Sequence, residues 1–143
     1  MPYHFLDDIA FADVAFAAEG ATREELFASC AAALLSVLLE NPEAVEPRET
    51  LPLTLEHAEL DLLLFAFLQE FVFYKDARRL LLRVAEVSVG GAEGGFTLTA
   101  RLAGERIDPS RHHLGVDVKA VTLHRFRVEE TPSGWEATVI LDV

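Results

Sequence analysis

Three aspartates carry the first chemical signal in this chain. Asp13, Asp117 and Asp142 lie far apart in sequence, each beside the short apolar residues of a strand-like segment. Carboxylate oxygens are hard ligands of the kind that Ca²⁺, Mg²⁺ or Mn²⁺ takes, and a cation would offset the repulsion among them if folding brought them together. The carbonyls and carboxylate after Asp142 could add oxygens. Lys119 is the second signal. In Asp117-Val118-Lys119-Ala120 the charged residues alternate with small apolar ones, which reads as the start of a strand whose two faces differ. His112 and His113 invite a metal or acid-base reading. Neighbours in sequence point apart, however, and a loop His-His pair is expected at the surface. Cys30 is the only cysteine, so there is no internal disulfide and no thiolate zinc site. Its apolar helical setting predicts a buried small hydrophobe rather than a reactive thiol. No Ser-His-Asp order or His-Glu-x-x-His motif stands out, and no nucleophile can be named.

The elements that must position these residues are legible from patterning. Residues 3–16 read as one or two strands, with Asp13 projecting from an otherwise apolar side shared with Phe11 and Ala15, or else standing in solvent at a strand edge. Gly20 turns the chain, and Thr22-Arg23-Glu24-Glu25 has the spacing of a helix capping box. Leu26, Phe27, Cys30, Leu34, Val37 and Leu38 follow at helical spacing until Asn41-Pro42. Residues 41–50 form a polar connection. Leu51, Leu53 and Leu55 then alternate with polar residues in a strand that Pro52 assigns to an edge. Residues 60–74 are the most apolar run, shorter than the roughly 20 residues a bilayer needs and interrupted by Asp61, Gln69 and Glu70, so a membrane helix is rejected. Its Phe65, Phe67, Phe71 and Phe73 read as core, with a partner groove as the alternative.

Residues 80–89 and 96–102 predict a hairpin around the glycines at 90–95, which precede no helix and carry no following lysine and so make no phosphate loop. Residues 121–129 and 135–143 predict a second hairpin, which returns the chain end to residues 119–124. Asp142 and Lys119 are then expected at one end of a sheet. Strand, helix, strand, helix and four strands is not a doubly wound order. The fold class is α+β: a mainly antiparallel or mixed sheet packed with two helices, residues 1–143 forming a single compact domain.

Bulk charge limits the partners. With 24 acidic and 12 basic residues the formal charge is −12, which opposes binding to phosphate backbones. A basic protein partner or a bound cation fits better, and strong direct nucleic-acid binding is not expected. The first residues lack the basic flank and apolar run of a signal peptide, so a cytoplasmic location is expected, with no membrane partner.

Several motifs together resemble the archease family: Tyr3-His4-Phe5-Leu6-Asp7, Asp13 before a Val-x-Phe strand, Gly20-x-Thr-x-Glu-Glu-x-Phe, Val45-x-Pro, Leu62-Leu63, Gly104-Glu105, His112-x-x-Gly-x-Asp-Val-Lys-Ala-Val-Thr, and the final Ile-Leu-Asp-Val. The resemblance spans the chain in order, and the last two motifs are the specific ones. It implies a small α+β protein, not itself a ligase, that assists a GTP-dependent RtcB-type RNA ligase in tRNA splicing and RNA repair. The assistance implied is guanylylation of the ligase histidine and repeated turnover, with tRNA contacted only through the partner. It also implies a divalent cation (Ca²⁺, Mg²⁺ or Mn²⁺) held by Asp13, Asp142 and a backbone oxygen of Val143, and a role for Lys119 in activating the ligase. The family's usual His-Thr-Ala-Asp reads Ala10-Phe11-Ala12-Asp13 here, its Trp-Gly-Glu reads Ala103-Gly104-Glu105, and the tyrosine after its threonine is Leu123. This marks a divergent member. The alternatives are a metal-stabilised chaperone or specificity modulator of an RNA-modifying methyltransferase, docking through residues 62–74, and a metal-dependent hydrolase.

Overall fold

The structure, a computed structural model, describes residues 2–7 and 13–143. The chain runs β1 (Tyr3–Leu6), β2 (Asp13–Gly20), α1 (Arg23–Leu38), a 3-10 turn (Pro42–Ala44), β3 (Glu49–His57), α2 (Leu60–Arg78), β4 (Leu80–Ala92), β5 (Gly95–Arg106), β6 (Ala120–Thr131) and β7 (Gly134–Asp142). This is the α+β class expected, with two helices and antiparallel pairing between the named strands. The expected sheet is divided in two, however. One has order β1-β2-β7-β6 and the other β3-β5-β4. Both helices touch both sheets, and one apolar core joins all four pieces through Phe16, Phe27, Phe67, Leu98 and Val139.

Local signals explain the helices. The Thr22 hydroxyl accepts from the Glu25 N–H at 3.1 Å, and the Glu25 carboxylate reaches back to the Ala21 N–H at 2.7 Å. Two otherwise unpaired donors at the start of α1 are thereby satisfied. In α2, Phe67 and Phe71 are buried while Phe73 is 56% exposed. Phe65 is half-buried and meets Phe126 of β6 edge-on, with ring centroids 5.7 Å apart. The aromatic run is therefore core on one side and surface at Phe73. Among the described residues no helix is long and apolar enough to cross a membrane.

β3 is an edge strand, as Pro52 requires. The β4–β5 hairpin is longer and tighter than its glycines suggest, since β4 continues through Gly90 and Gly91 to Ala92, which pairs with Gly95. Gly104 is needed where these strands cross closely: a Cβ there would lie 1.8 Å from the Leu81 carbonyl oxygen.

Candidate functional site

Asp13 opens β2 and Asp142 closes β7, and the two are direct cross-strand partners. Directly paired residues in an antiparallel ladder project from the same face, with Cβ atoms roughly 5 Å apart. Asp142 pairs on its other side with Ala120, the first residue of β6. Lys119 immediately precedes that residue, and its N–H donates to the Asp142 carbonyl at 2.8 Å. Antiparallel pairing thus brings Asp13, Lys119 and Asp142 to one sheet end. Ala10, Phe11 and Ala12, which replace the usual family residues, lie outside the described residues.

The segment that delivers Lys119 is held from three directions. At the end of α1 the N–H groups of Gly115 and Val116 donate to the Leu38 and Val37 carbonyls, both at 2.9 Å. They satisfy two of the acceptors that a helix C-terminus leaves unpaired. Gly115 has no room for a side chain, because a Cβ would stand 2.5 Å from the Val37 carbonyl oxygen. At the end of α2 the buried Lys75 ammonium donates to Asp117, Asp76 and the Val118 carbonyl, each at 2.7 Å. The third hold is the Lys119 to Asp142 bond. Along β6, Gln69 of α2 accepts from the Val121 N–H at 2.9 Å and covers part of the strand's free edge.

Two expectations need correction here. Residues 117–119 are a clamped lead-in, and the strand begins only at Ala120. The inside-outside alternation nevertheless holds, with Val118 buried and Asp117 and Lys119 exposed. Asp117 does not join the other two aspartates, because its carboxylate pairs with Lys75. Lys75 itself was missed by sequence reasoning, since a lysine in the last turn of a helix ordinarily reads as a solvated charge near the helix dipole. Burial acts to lower its pKa, but the hydrogen bonds and charges of Asp117 and Asp76 outweigh that and raise it.

His112 is also unlike the expected surface residue, being only 2% exposed. Its Nδ1 accepts from the Asp108 N–H at 2.8 Å, and its Nε2 lies 3.1 Å from the buried Glu105 carboxylate. An accepting Nδ1 places the proton of the neutral ring on Nε2, which donates to Glu105. Glu105 also takes the Glu46 N–H at 2.7 Å and pairs with Arg111 and Arg48. Burial acts to raise the Glu105 pKa, and these hydrogen bonds with the Arg111 charge bring it below the ordinary value. The Gly104-Glu105 and His112 motifs are thus two ends of one structural bolt. His113 is exposed, and its backbone is bound to Asn41 and Glu40. Cys30 is buried, and burial pushes its thiol far up, away from the reactive thiolate.

The donor chemistry at Asp13 and Asp142 fits a hard divalent ion. Like charges placed directly opposite in a sheet repel, and a cation between them removes that cost. Among the described residues no group of three or more His, Cys, Asp or Glu side chains is arranged to hold a metal ion. The pair therefore offers two carboxylates, with backbone oxygen such as that of Val143 adjacent in sequence. A concavity of about 750 Å³ lined by Glu19, Trp135 and Glu136 lies at the opposite end of the same strands and does not involve this site.

Residues 3–143 match the model of the archease protein family (MTH1598/TM1083). The chain belongs to the archease family. It is 35% identical over 133 residues to the protein archease of Pyrococcus abyssi, covering 92% of this chain and 93% of that one. It is 33% identical to the archease of Methanopyrus kandleri over 143 residues, 100% of both chains. Its fold is similar to the solution structure of Methanobacterium thermoautotrophicum protein 1598, with a TM-score of 0.84, 29% identity and 99% coverage of both chains. The fold is also shared with the crystal structure of an archease from Thermotoga maritima, described as a possible chaperone, at a TM-score of 0.61, 17% identity and 98% coverage of both.

Proposed function

We propose that this archease-family protein activates a GTP-dependent RtcB-type RNA ligase, promoting guanylylation of the ligase and its repeated turnover in tRNA splicing and RNA repair. The observation that carries the reading is the cross-strand pairing of Asp13 with Asp142, with Lys119 anchored on the Asp142 carbonyl. Two acidic groups and one cation on a rigid sheet end suit a site where a divalent ion and phosphate groups meet. A divalent cation bound by Asp13, Asp142 and a Val143 backbone oxygen supplies positive charge for phosphate oxygens. Lys119 adds an exposed ammonium that stabilises phosphate charge or orients the carboxylates. The formal charge of −12 draws the protein to the basic mouth of an RNA-binding enzyme and keeps it off free RNA. The action is on a partner's chemistry, in the cytoplasm, rather than turnover by the chain alone. The test is guanylylation of the purified ligase with Mn²⁺ and GTP, with and without this protein. The reading requires stimulation, and it requires that the protein alone turn over no phosphate ester.

A second reading, a chaperone or specificity modulator of an RNA-modifying methyltransferase, draws on the 56% exposed ring of Phe73 on α2. It requires Phe73→Ala to abolish partner binding and Asp142→Asn to leave it intact.

A further inference from the structure

β6 leaves its ladder over residues 123–126 and returns, with three more residues than the facing stretch of β7. Thr122 pairs with Ile140 and Arg127 with Thr138, so five residues of advance on β6 match two on β7. Leu123, His124 and Arg125 all stand exposed, Leu123 at 58%. Both ends of this excursion are pinned. The Thr122 hydroxyl donates to the Ile140 carbonyl at 3.1 Å, and the half-buried Phe126 ring meets Phe65 of α2 edge-on. Within the excursion Arg125 stands at φ 54°, a left-handed conformation for which glycine is the default residue. An arginine at such a position points to a role for its side chain.

The sequence of this stretch is opposite in charge to the chain as a whole. From Val118 to Val128 there is no acidic residue, and Lys119, His124, Arg125 and Arg127 all fall within that span. Arg127 is paired with Glu129 at 3.1 Å. Among the described residues neither Lys119 nor Arg125 makes an ion pair. The bulge begins three residues beyond Ala120, the partner of Asp142, which is roughly 10 Å along a strand. We infer that the 123–125 bulge, together with Lys119, is a contact surface for the phosphate backbone of the single-stranded RNA end held by the ligase. The inference rests on the ligase-activation reading and goes beyond it, since contact with RNA becomes direct.

An exposed leucine and imidazole with Lys119 and Arg125, which make no ion pair among the described residues, suit a sugar-phosphate strand with an unstacked base. Two or three cations on a chain of −12 hold RNA only when a partner presents it, which agrees with the charge argument against free binding.

The experiment measures ligation of a 3′-phosphate RNA by the ligase with this protein, as a function of RNA and salt concentration, and separately the RNA-free guanylylation rate. Arg125→Gln with His124→Gln is expected to raise the apparent KM for RNA about tenfold and flatten its salt dependence, each lost phosphate contact lowering the slope by roughly 0.7. The RNA-free guanylylation rate is expected to stay unchanged. Arg125→Gly removes the charge while relieving the backbone, so the same KM effect in a protein at least as stable excludes misfolding; Arg125→Lys is expected to recover most of the affinity. An unchanged KM overturns the inference while leaving ligase activation standing. A fall in RNA-free guanylylation also overturns it, by assigning the bulge to GTP or to the ligase surface. Absence of stimulation by the wild-type protein removes both.

Discussion

Asp13 and Asp142 face each other across β2 and β7, two carboxylates in one row of an antiparallel sheet. That relationship costs stability unless something positive lies between them, and it therefore has a signature independent of any ligase. In chelator, Asp142→Asn should raise stability by about 0.5 kcal/mol, the scale of an exposed cross-strand charge pair. On adding Ca²⁺, Mg²⁺ or Mn²⁺ the wild type should gain thermal stability and the variant little. Melting curves with and without metal decide this, and equal metal shifts in both proteins would remove Asp142 from the site.

Lys75 should matter more to the site than its place in the chain suggests. Lys75→Met leaves the Val118 carbonyl without its donor and frees Asp117. The expected loss is about 2 kcal/mol, below that of a fully buried pair because the Asp117 and Asp76 side chains are largely exposed. The raised Lys75 pKa gives the sign of its pH dependence. Its contribution is fully present below the ordinary lysine value and is lost as pH rises through the raised folded value. Denaturant unfolding from pH 7 to strongly alkaline pH should therefore show wild type and variant converging only at the alkaline end.

Glu105 predicts the opposite limb. Its folded pKa lies below the ordinary value of 4.5, so its contribution is present above that value and is lost as pH falls through the folded one. Glu105→Gln should be less stable than wild type at neutral pH, with the difference shrinking below pH 4.5. A pH-independent difference would mean that the Glu105 charge is not what the bolt uses.

Gly115→Ala tests the clamp on the lead-in. A Cβ at 2.5 Å from the Val37 carbonyl oxygen forces residues 114–116 off the end of α1. We expect a loss of about 2 kcal/mol, the scale of lost backbone bonds plus overpacking. Faster amide exchange at Lys119 should follow, with exchange in the middle of β5 unchanged.

Local chemistry carried most of the fold into the sequence. The Thr22 capping box, the Pro52 edge strand and both hairpins depend on residues within a few positions of one another, and each formed where its pattern lay. The division into two sheets was not legible, because it is decided by which distant strands pair, as β2 does with β7 and β3 with β5. The juxtaposition of Asp142 with Lys119 followed from the final hairpin alone. Lys75 was missed and His112 misread for one reason: burial of a titratable side chain is set by tertiary partners that local patterning does not reveal, Asp117 for the lysine and Glu105 for the histidine. Leu123, His124 and Arg125 passed as continuous strand because a bulge leaves no strong mark when no glycine occupies its left-handed position.

The central claim is that Asp13, Lys119 and Asp142 act together on a ligase. Its most direct test is the single-turnover rate of guanylylation of the RtcB-type ligase histidine, with Mn²⁺ and GTP, in the presence of wild-type protein, Lys119→Ala or Asp142→Ala, each first shown to be folded. The account predicts clear stimulation by the wild type and a loss of at least about tenfold in that stimulation for each variant, the scale of removing one charge-stabilising group. Stimulation by both variants equal to that of the wild type would contradict it.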